Sequence, residues 1–218
     1  MAIHGIRICA LGLALAGAGG GALAADLDFD RTFNSRADAG YLHYRATYTQ
    51  AGQAHQVEVW RDRDLRLKRR TDDRVETLVT KPAGQAEWQM TVLDLKRKIR
   101  TDIARTNLMR IGHFTDWFSL SHSLARPSGP YQLSVATRPA GIAPALRPCK
   151  WYALKAQDVE SRVCWSAEAG LPLLIASSDG KEQWRISHVD KAAPAAQAFA
   201  INDKGFVRNN ANEDIKTD

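Results

Sequence analysis

The chain from Tyr41 onward is divided into short runs rich in aromatic and β-branched residues, separated by turn-forming residues. In the first run the apolar Leu42 and Tyr44 alternate with the polar His43 and Arg45. Alternation with a period of two places the apolar side chains on one face of a strand. Runs that recur about every 8–12 residues between turn signals are typical of an antiparallel sheet or barrel. The sequence therefore predicts a mainly β fold whose sheet has one buried face.

About eleven strands are predicted, with a helical segment after the sixth strand. Between Ile103 and Leu124 apolar residues recur at spacings of three and four, which predicts an amphipathic helix or two short ones broken at Gly112. No element is predicted for the alanine- and asparagine-rich tail after Ala192. The predicted strands are Tyr41–Thr49, His55–Arg61, Asp64–Arg70, Arg74–Thr80, Glu87–Asp94, Lys96–Thr101, Tyr131–Thr137, Cys149–Leu154, Val159–Ser166, Pro172–Ser177 and Gln183–Val189.

Residues 1–24 have the three parts of a secretory signal peptide. Arg7 supplies the positive start, Ile8–Ala18 is the apolar stretch, and Ala22–Ala24 is a small-x-small cleavage site. The glycines before the cleavage site leave too few large apolar side chains for a membrane span, which takes about 20 apolar residues. We therefore expect cleavage near Ala24, export to the periplasm, and a soluble single β domain over residues 25–218 with a short C-terminal tail.

The two cysteines beyond the signal peptide predict a disulfide, because an even pair in an oxidising compartment favours one. Cys149 and Cys164 lie on consecutive predicted strands. With Lys155–Asp158 as the loop, Leu154 faces Val159 and the two cysteines face each other across the hairpin. The face opposite the cysteines then carries Tyr152, Leu154, Val159, Val163 and Trp165.

Three short segments occur in an order that is known from one group of envelope proteins. They are Trp88–Leu95 before the helical segment, the Gly-Leu-Pro-Leu strand start at Gly170–Leu173, and the turn Asp179-Gly180. Between Tyr41 and Val189 the chain thereby resembles the LolA/LolB family of periplasmic lipoprotein carriers and the related domain of the regulator RseB. The resemblance implies a strongly curved antiparallel sheet, or half-open β-barrel, whose open side is plugged by helices.

No catalytic motif and no metal-ligand spacing stands out in the sequence. His113 and His122 lie in the helical segment at a spacing that does not align them on one helix face. His43, His55 and His188 fall singly on predicted strands, where a surface or rim position is the default for histidine. The sequence therefore predicts a non-enzymatic protein with no catalytic residue, no metal site and no cofactor.

Basic residues are concentrated in two regions, residues 61–74 and residues 96–100. Strand alternation places Arg66, Lys68 and Arg70 on one face of the strand and Leu65 and Leu67 on the other. This face is either a solvated outer surface or a surface that attracts anionic headgroups or an acidic partner protein. Peripheral membrane contact is compatible with the second interpretation, whereas nucleic acid is an unsuitable partner for an exported protein.

The aromatic side chains of the helical segment are either core between helix and sheet or the lining of a lipid cavity. A cavity lined by apolar groups suits lipid tails, because burial gains about 25 cal/mol per Å² without specific hydrogen bonds. The leading hypothesis is a periplasmic protein that carries a lipid, a lipoprotein acyl chain or another amphiphile. The alternative is a regulatory or assembly module that binds another envelope protein through its basic strands. The residues predicted to contact the ligand are Ile111, Phe114, Trp117, Phe118, Trp88 and Met90.

Overall fold

The structure, a computed structural model, describes residues 27–34, 40–85, 87–104, 106 and 116–211. Within these ranges the chain forms one curved sheet of twelve strands that is not closed into a barrel, with two short α-helices and one 3-10 helix. The mainly β fold is thereby confirmed. The predicted signal peptide and the predicted ligand residues Ile111 and Phe114 lie outside the described residues. None of the described helices combines the length and the apolar character that a membrane span requires.

The predicted strands correspond to β1 to β11, with ends that differ by a few residues, and β12 is additional. The helices are α1 (Phe29–Thr32) and α2 (Trp117–His122), and the 3-10 helix is Ala196–Phe199. The strands are β1 (Tyr41–Gln50), β2 (Gln53–Asp62), β3 (Arg66–Thr71), β4 (Val75–Thr80), β5 (Gln89–Asp94), β6 (Ile99–Ala104), β7 (Tyr131–Val135), β8 (Lys150–Ala156), β9 (Val159–Ser166), β10 (Leu171–Ser177), β11 (Glu182–Asp190) and β12 (Val207–Asn210).

The largest difference from the predicted strands is at β6, which begins and ends three residues later than expected. The cause is Asp94, whose carboxylate accepts hydrogen bonds from the backbone amides of Lys96 (3.1 Å) and Arg97 (2.8 Å) and so fixes residues 95–98 as a turn. As a result Ile103 is a strand residue opposite Met90, and not the first residue of a helix.

Neighbouring strands in the sheet follow chain order except at two places. β1 pairs with β11, which joins the first six strands to the last five of the antiparallel sheet. β12 pairs with β6 in parallel, with Val207 opposite Ile99. The edges of the sheet are therefore β12 and β7.

The inner face of the sheet is the face that carries Tyr44 of β1 and its partner Val59 of β2. Burial on this face falls along the strands. On β4, Val79 is 0% exposed, whereas Val75, which directly follows the turn 72–74, is 38% exposed. The inner face is therefore buried at one end, where Trp117 and Leu120 of α2 pack on it. It is open at the other, which we call the hairpin-turn end and which contains the turns 51–52, 72–74 and 95–98.

The segment between β11 and β12 crosses the outer face of the first six strands. The carbonyl oxygen of Ala200 accepts a hydrogen bond of 2.9 Å from Lys68 on β3. Farther along, the carboxylate of Asp203 accepts a bond of 2.8 Å from Arg100 on β6. These contacts bring the end of the chain to β6, where β12 extends the sheet.

The predicted disulfide is present, with 5.4 Å between the Cα atoms of Cys149 and Cys164. Its hairpin has a different register from the predicted one, because Cys164 lies opposite Trp151 and not opposite Cys149. The loop is also shorter than expected, since Ala156 already pairs with Val159.

The register difference has its origin in the turn, where Gln157 adopts a φ of 53°. Positive φ values are typical of two-residue hairpin turns, whose twist matches that of the strands. The resulting shift of two residues leaves each side chain on its predicted face, because the side-chain period of a strand is two. Tyr152 and Val163 accordingly remain on the inner face and lie in a buried cluster.

Loss of the disulfide should destabilise the protein, because the bridge closes a loop with a sequence separation of 15. A loop of this size corresponds to about 3 kcal/mol of chain entropy in the unfolded state. The double substitution Cys149→Ser and Cys164→Ser should therefore lower the midpoint of thermal unfolding. Two titratable thiols in the unreduced folded protein, or an unchanged melt, would count against the bridge.

Candidate functional site

Helix α2 carries two of the predicted ligand residues, and its start is fixed by Asp116. The Asp116 carboxylate accepts hydrogen bonds from the backbone amides of Phe118 (3.3 Å) and Ser119 (3.0 Å). Burial alone would raise the pKa of Asp116, but these bonds and one from the Ser119 hydroxyl outweigh it, so the pKa is lowered. The helix thus begins on an ionised cap, which sets the directions of Trp117 and Phe118.

Trp117 and Phe118 point into two different clusters of buried side chains. Trp117 packs against the cluster on the central strands, where its ring lies 6.5 Å from that of Trp88. Phe118 packs against a second cluster near β7 to β9, with its ring 5.5 Å from Phe29 of α1. Adjacent residues on a helix are about 100° apart, which allows one short helix to contact both clusters.

Trp88 and Met90 are part of the core, since they are 2% and 3% exposed. Both belong to the same cluster as Tyr44, and Trp117 covers that cluster from the side of α2. In the described part of the chain, the space between α2 and the sheet is therefore filled by the protein's own side chains. A ligand-binding role for Trp88, Met90, Trp117 and Phe118 stays a prediction.

The three residues of the predicted basic surface lie on β3 in different surroundings. Arg66 forms a salt bridge of 2.9 Å with Asp62, and its guanidinium lies 4.3 Å from the ring centre of Phe199. Arg70 forms a salt bridge of 3.0 Å with Asp73 in the adjoining turn. The segment between β11 and β12 therefore covers part of this surface.

Lys68 is the most enclosed of the three, with 11% of its side chain exposed. Its ammonium group lies 2.9 Å from the carboxylate of Glu76 and also donates to the carbonyl oxygen of Ala200. Burial of an ion pair is compensated only by partners in good geometry, which both groups supply here. Lys68 thus holds the C-terminal segment on the sheet.

A second basic region lies at the hairpin-turn end and is open to solvent. It borders a groove of about 380 Å³ on the inner face, which we call the hairpin-end groove. Arg74 and Lys96 form no salt bridge among the described residues, and Arg97 has only a long contact of 3.9 Å with Asp94. The groove is lined by Tyr48, His55, Thr71, Asp72, Arg74, Val75, Asp94, Lys96 and Arg97.

Both carboxylates of the hairpin-end groove are already occupied by bonds within the protein. Asp72 accepts a hydrogen bond from the backbone amide of Gln56, which together with the bond from His55 lowers the pKa of Asp72. Asp94 accepts the two amide bonds that form the turn 95–98. The charged donors of the groove are the cations of Arg74, Lys96 and Arg97.

One wall of the hairpin-end groove is aromatic. The ring of Tyr48 stacks on that of His55 with 5.1 Å between the ring centres. From β3, on the far side of β2, the guanidinium of Arg69 lies 5.6 Å from the centre of the Tyr48 ring. The groove therefore combines apolar surface with positive charge and can bind groups that carry both an apolar part and a negative charge.

Sequence reasoning located the basic residues of this groove but not the groove itself. Arg74, Lys96 and Arg97 were predicted to lie at the starts of strands, whereas the structure places them in the turns 72–74 and 95–98. The signal that would have identified them is their position. Both Arg74, between β3 and β4, and Lys96, between β5 and β6, lie in turns at the hairpin-turn end.

The fold and the groove together define an open, curved sheet protein with a packed interior and a charged surface groove. No protein-family model matches the sequence, and the search of curated proteins finds no match. MucB is a member of the RseB family. A domain of RseB is one of the two relatives that the sequence resembles. The crystal structure of MucB aligns with 18% identity and a TM-score of 0.40, over 79% of this chain and 61% of the MucB chain.

Two further solved structures give similar alignments. MucB in the MucA/MucB complex of Pseudomonas aeruginosa aligns with 19% identity and a TM-score of 0.43, over 79% of this chain and 59% of that one. PNGF-II aligns with 8% identity and a TM-score of 0.34, over 82% of this chain and 33% of that one. The chain thus spans less than two thirds of the length of each protein. The LolA/LolB part of the resemblance stays a prediction.

The enclosed position of Lys68 predicts a stability effect. Lys68→Met should leave the carboxylate of Glu76 without its partner and cost about 3 kcal/mol of unfolding free energy, at the low end of the range for buried pairs. The double variant Lys68→Met/Glu76→Leu should recover part of that loss, because no unpaired charge remains. Urea unfolding measures the free energy of unfolding of both variants. A loss for Lys68→Met below about 0.5 kcal/mol, as at an ordinary surface position, would contradict this role.

The filled space beneath α2 predicts how its aromatic residues respond to substitution. Trp88→Ala should cost about 3–5 kcal/mol through lost packing, and uptake of a fluorescent fatty-acid probe should fall only in step with unfolding. Trp117→Ser and Phe118→Ser should behave in the same way, with smaller losses because both side chains are partly exposed. If either variant instead loses probe uptake while its melt is unchanged, the side chain contacts ligand as the lipid-carrier hypothesis states.

Proposed function

We propose that the protein is an exported, non-enzymatic module of the cell envelope that binds an acidic segment of another protein in the hairpin-end groove. The observation that carries the proposal is the contrast between the two ends of the inner face. At one end the aromatic residues pack into a core, and at the other Arg74 and Lys96 stand at an open groove without a salt bridge in the described part of the chain.

Charge complementarity decides the type of occupant. The groove has three cations, Arg74, Lys96 and Arg97, against two carboxylates whose oxygens already accept internal hydrogen bonds, so its balance of charge is positive. A lipid tail would find an unsuitable lining, because acyl chains favour apolar walls with few polar groups. An acidic peptide with an aromatic or aliphatic side chain fits both the cations and the Tyr48 ring.

The size of the groove suggests that it is one part of a larger interface. A volume of about 380 Å³ accommodates a few side chains, whereas specific protein interfaces bury about 1,200–2,000 Å² in total. The partner therefore has to contact neighbouring surface as well. In such an arrangement the charges of the groove mainly set the rate of encounter and the choice of partner.

Removal of the groove cations should weaken binding of an acidic probe. We suggest a fluorescein-labelled peptide of alternating glutamate and phenylalanine, titrated at low salt. The triple variant Arg74→Gln/Lys96→Gln/Arg97→Gln should bind between about threefold and about 150-fold more weakly, since exposed ion pairs contribute about 0.2–1 kcal/mol each. Its thermal melt should change little.

A second triple variant provides a control with the same change in net charge. Arg138→Gln/Lys155→Gln/Lys204→Gln removes three exposed cations that lie outside the groove. An equal loss of affinity in this control, or no binding by the parent protein, would contradict the proposal. Vesicles that contain phosphatidylglycerol test whether the groove binds an anionic membrane surface instead of a peptide. Binding of these vesicles but not of the peptide would assign the groove to lipid headgroups.

A further inference from the structure

We propose that the protein also has a binding site for a zinc-class divalent cation, formed by His43 of β1 and by His188 and Asp190 of β11. The site lies on the outer face of the sheet, away from the hairpin-end groove, and is independent of the proposed function. One ring nitrogen of each histidine and one carboxylate oxygen of Asp190 lie within 4.8 Å of one another.

The pairing of β1 with β11 creates this cluster. His43 lies directly opposite Asp190, and His188 lies opposite Arg45, two residues further along β1 on the same face. The rings of His43 and His188 are 5.4 Å apart between centres. Side chains on paired strands at these positions are neighbours, so the backbone itself holds the three ligands together.

The set of donors selects the class of ion. Two imidazoles and one carboxylate suit Zn²⁺ and related transition metals, whereas Ca²⁺ and Mg²⁺ prefer oxygen ligands alone. In a tetrahedral site with bonds of about 2.0–2.2 Å, ligand atoms are about 3.4 Å apart. The three atoms, all within 4.8 Å, reach that spacing by side-chain rotation. Water completes the fourth position.

Glu58 provides the outer-shell partner that metal-bound histidines normally have. Its carboxylate lies 2.8 Å from Nε2 of His43 and 3.0 Å from Nε of Arg45. When Nε2 of His43 donates to this carboxylate, Nδ1 carries the lone pair, as in carboxylate–histidine–zinc arrangements.

The remaining contacts keep the ligands in place. The ring of Trp60 stacks on that of His43, nearly parallel and 5.2 Å away. Asp190 accepts a bond of 2.8 Å from the backbone amide of Ala192. The Asp190 carboxylate is therefore oriented before an ion arrives.

The cluster also borders a small groove beneath the C-terminal segment. The groove has a volume of about 270 Å³ and includes His43, Trp60 and Asp190 together with residues 192–195, 197 and 198. This is enough room for an ion with its water. The histidines are partly or largely exposed, so ions from solution can reach them.

Zinc titration of the tag-free protein tests the site. Calorimetry should show one ion bound, and His43→Ala and His188→Ala should each weaken binding at least about tenfold. Glu58→Gln should weaken it about 10–100-fold, as is usual for an outer-shell partner. Bound Co²⁺ should give the strong visible absorption of tetrahedral coordination in the parent protein and lose it in His188→Ala.

His55→Ala is the matched control, because His55 is also a strand histidine bonded to a carboxylate but lies on the inner face. It should bind zinc like the parent. The melts of all variants without zinc should agree closely, which separates loss of the site from loss of the fold. Absence of zinc binding at millimolar concentration would overturn the proposal. Unchanged binding in the His43→Ala/His188→Ala double variant would do the same.

Discussion

The pairing of β1 with β11 is the interaction on which the rest of the structure depends. Apart from the pair β12–β6, neighbouring strands within each half of the sheet are also neighbours in sequence, so the loops that join them are much shorter than the chain between β1 and β11. β1 and β11 are joined only after almost the whole domain has been synthesised, and their contact closes a very long loop. The entropy of loop closure grows only with the logarithm of length, so the aligned pairs from His43–Asp190 to Tyr48–Trp184 can offset it. Without this contact the two halves would share no continuous inner face.

On that continuous face, the six residues of α2 pack at the end away from the hairpin turns. α2 contacts both buried clusters because its first two residues point in different directions. The larger cluster extends over both halves of the sheet, from Met90 of β5 to Cys164 of β9, and the second cluster lies on β7 to β9. The same arrangement leaves the hairpin-turn end uncovered in the described part of the chain, where Val75 and Tyr48 meet the cations of the turns. In the proposed function, packing and binding belong to opposite ends of one sheet face.

The faces of the strands could be predicted from the sequence, and their exact pairing could not. The period of two fixes which side chains point inward, so Tyr152 and Val163 kept their face although the hairpin register differs by two residues. The turn at Gln157 decided that register, and glutamine gives no turn signal. β12 was missed because Val207–Asn210 has no alternation, and its pairing depends on the long-range contacts of Lys68 and Arg100. The histidine cluster was missed for the same reason, since each histidine looked isolated until β1 and β11 were paired.

The parallel contact of β12 with β6 has a consequence for how the molecules behave at high concentration. An open sheet presents unpaired backbone groups at its edges, and such edges promote association between molecules. β6 would offer an edge of six residues, whereas β12 offers four, all of them exposed and including Arg208. Short strands that carry a charged residue are poor templates for further pairing. β12 therefore acts as a barrier to edge-to-edge aggregation, and a protease that trimmed it would expose the longer edge of β6 and promote self-association.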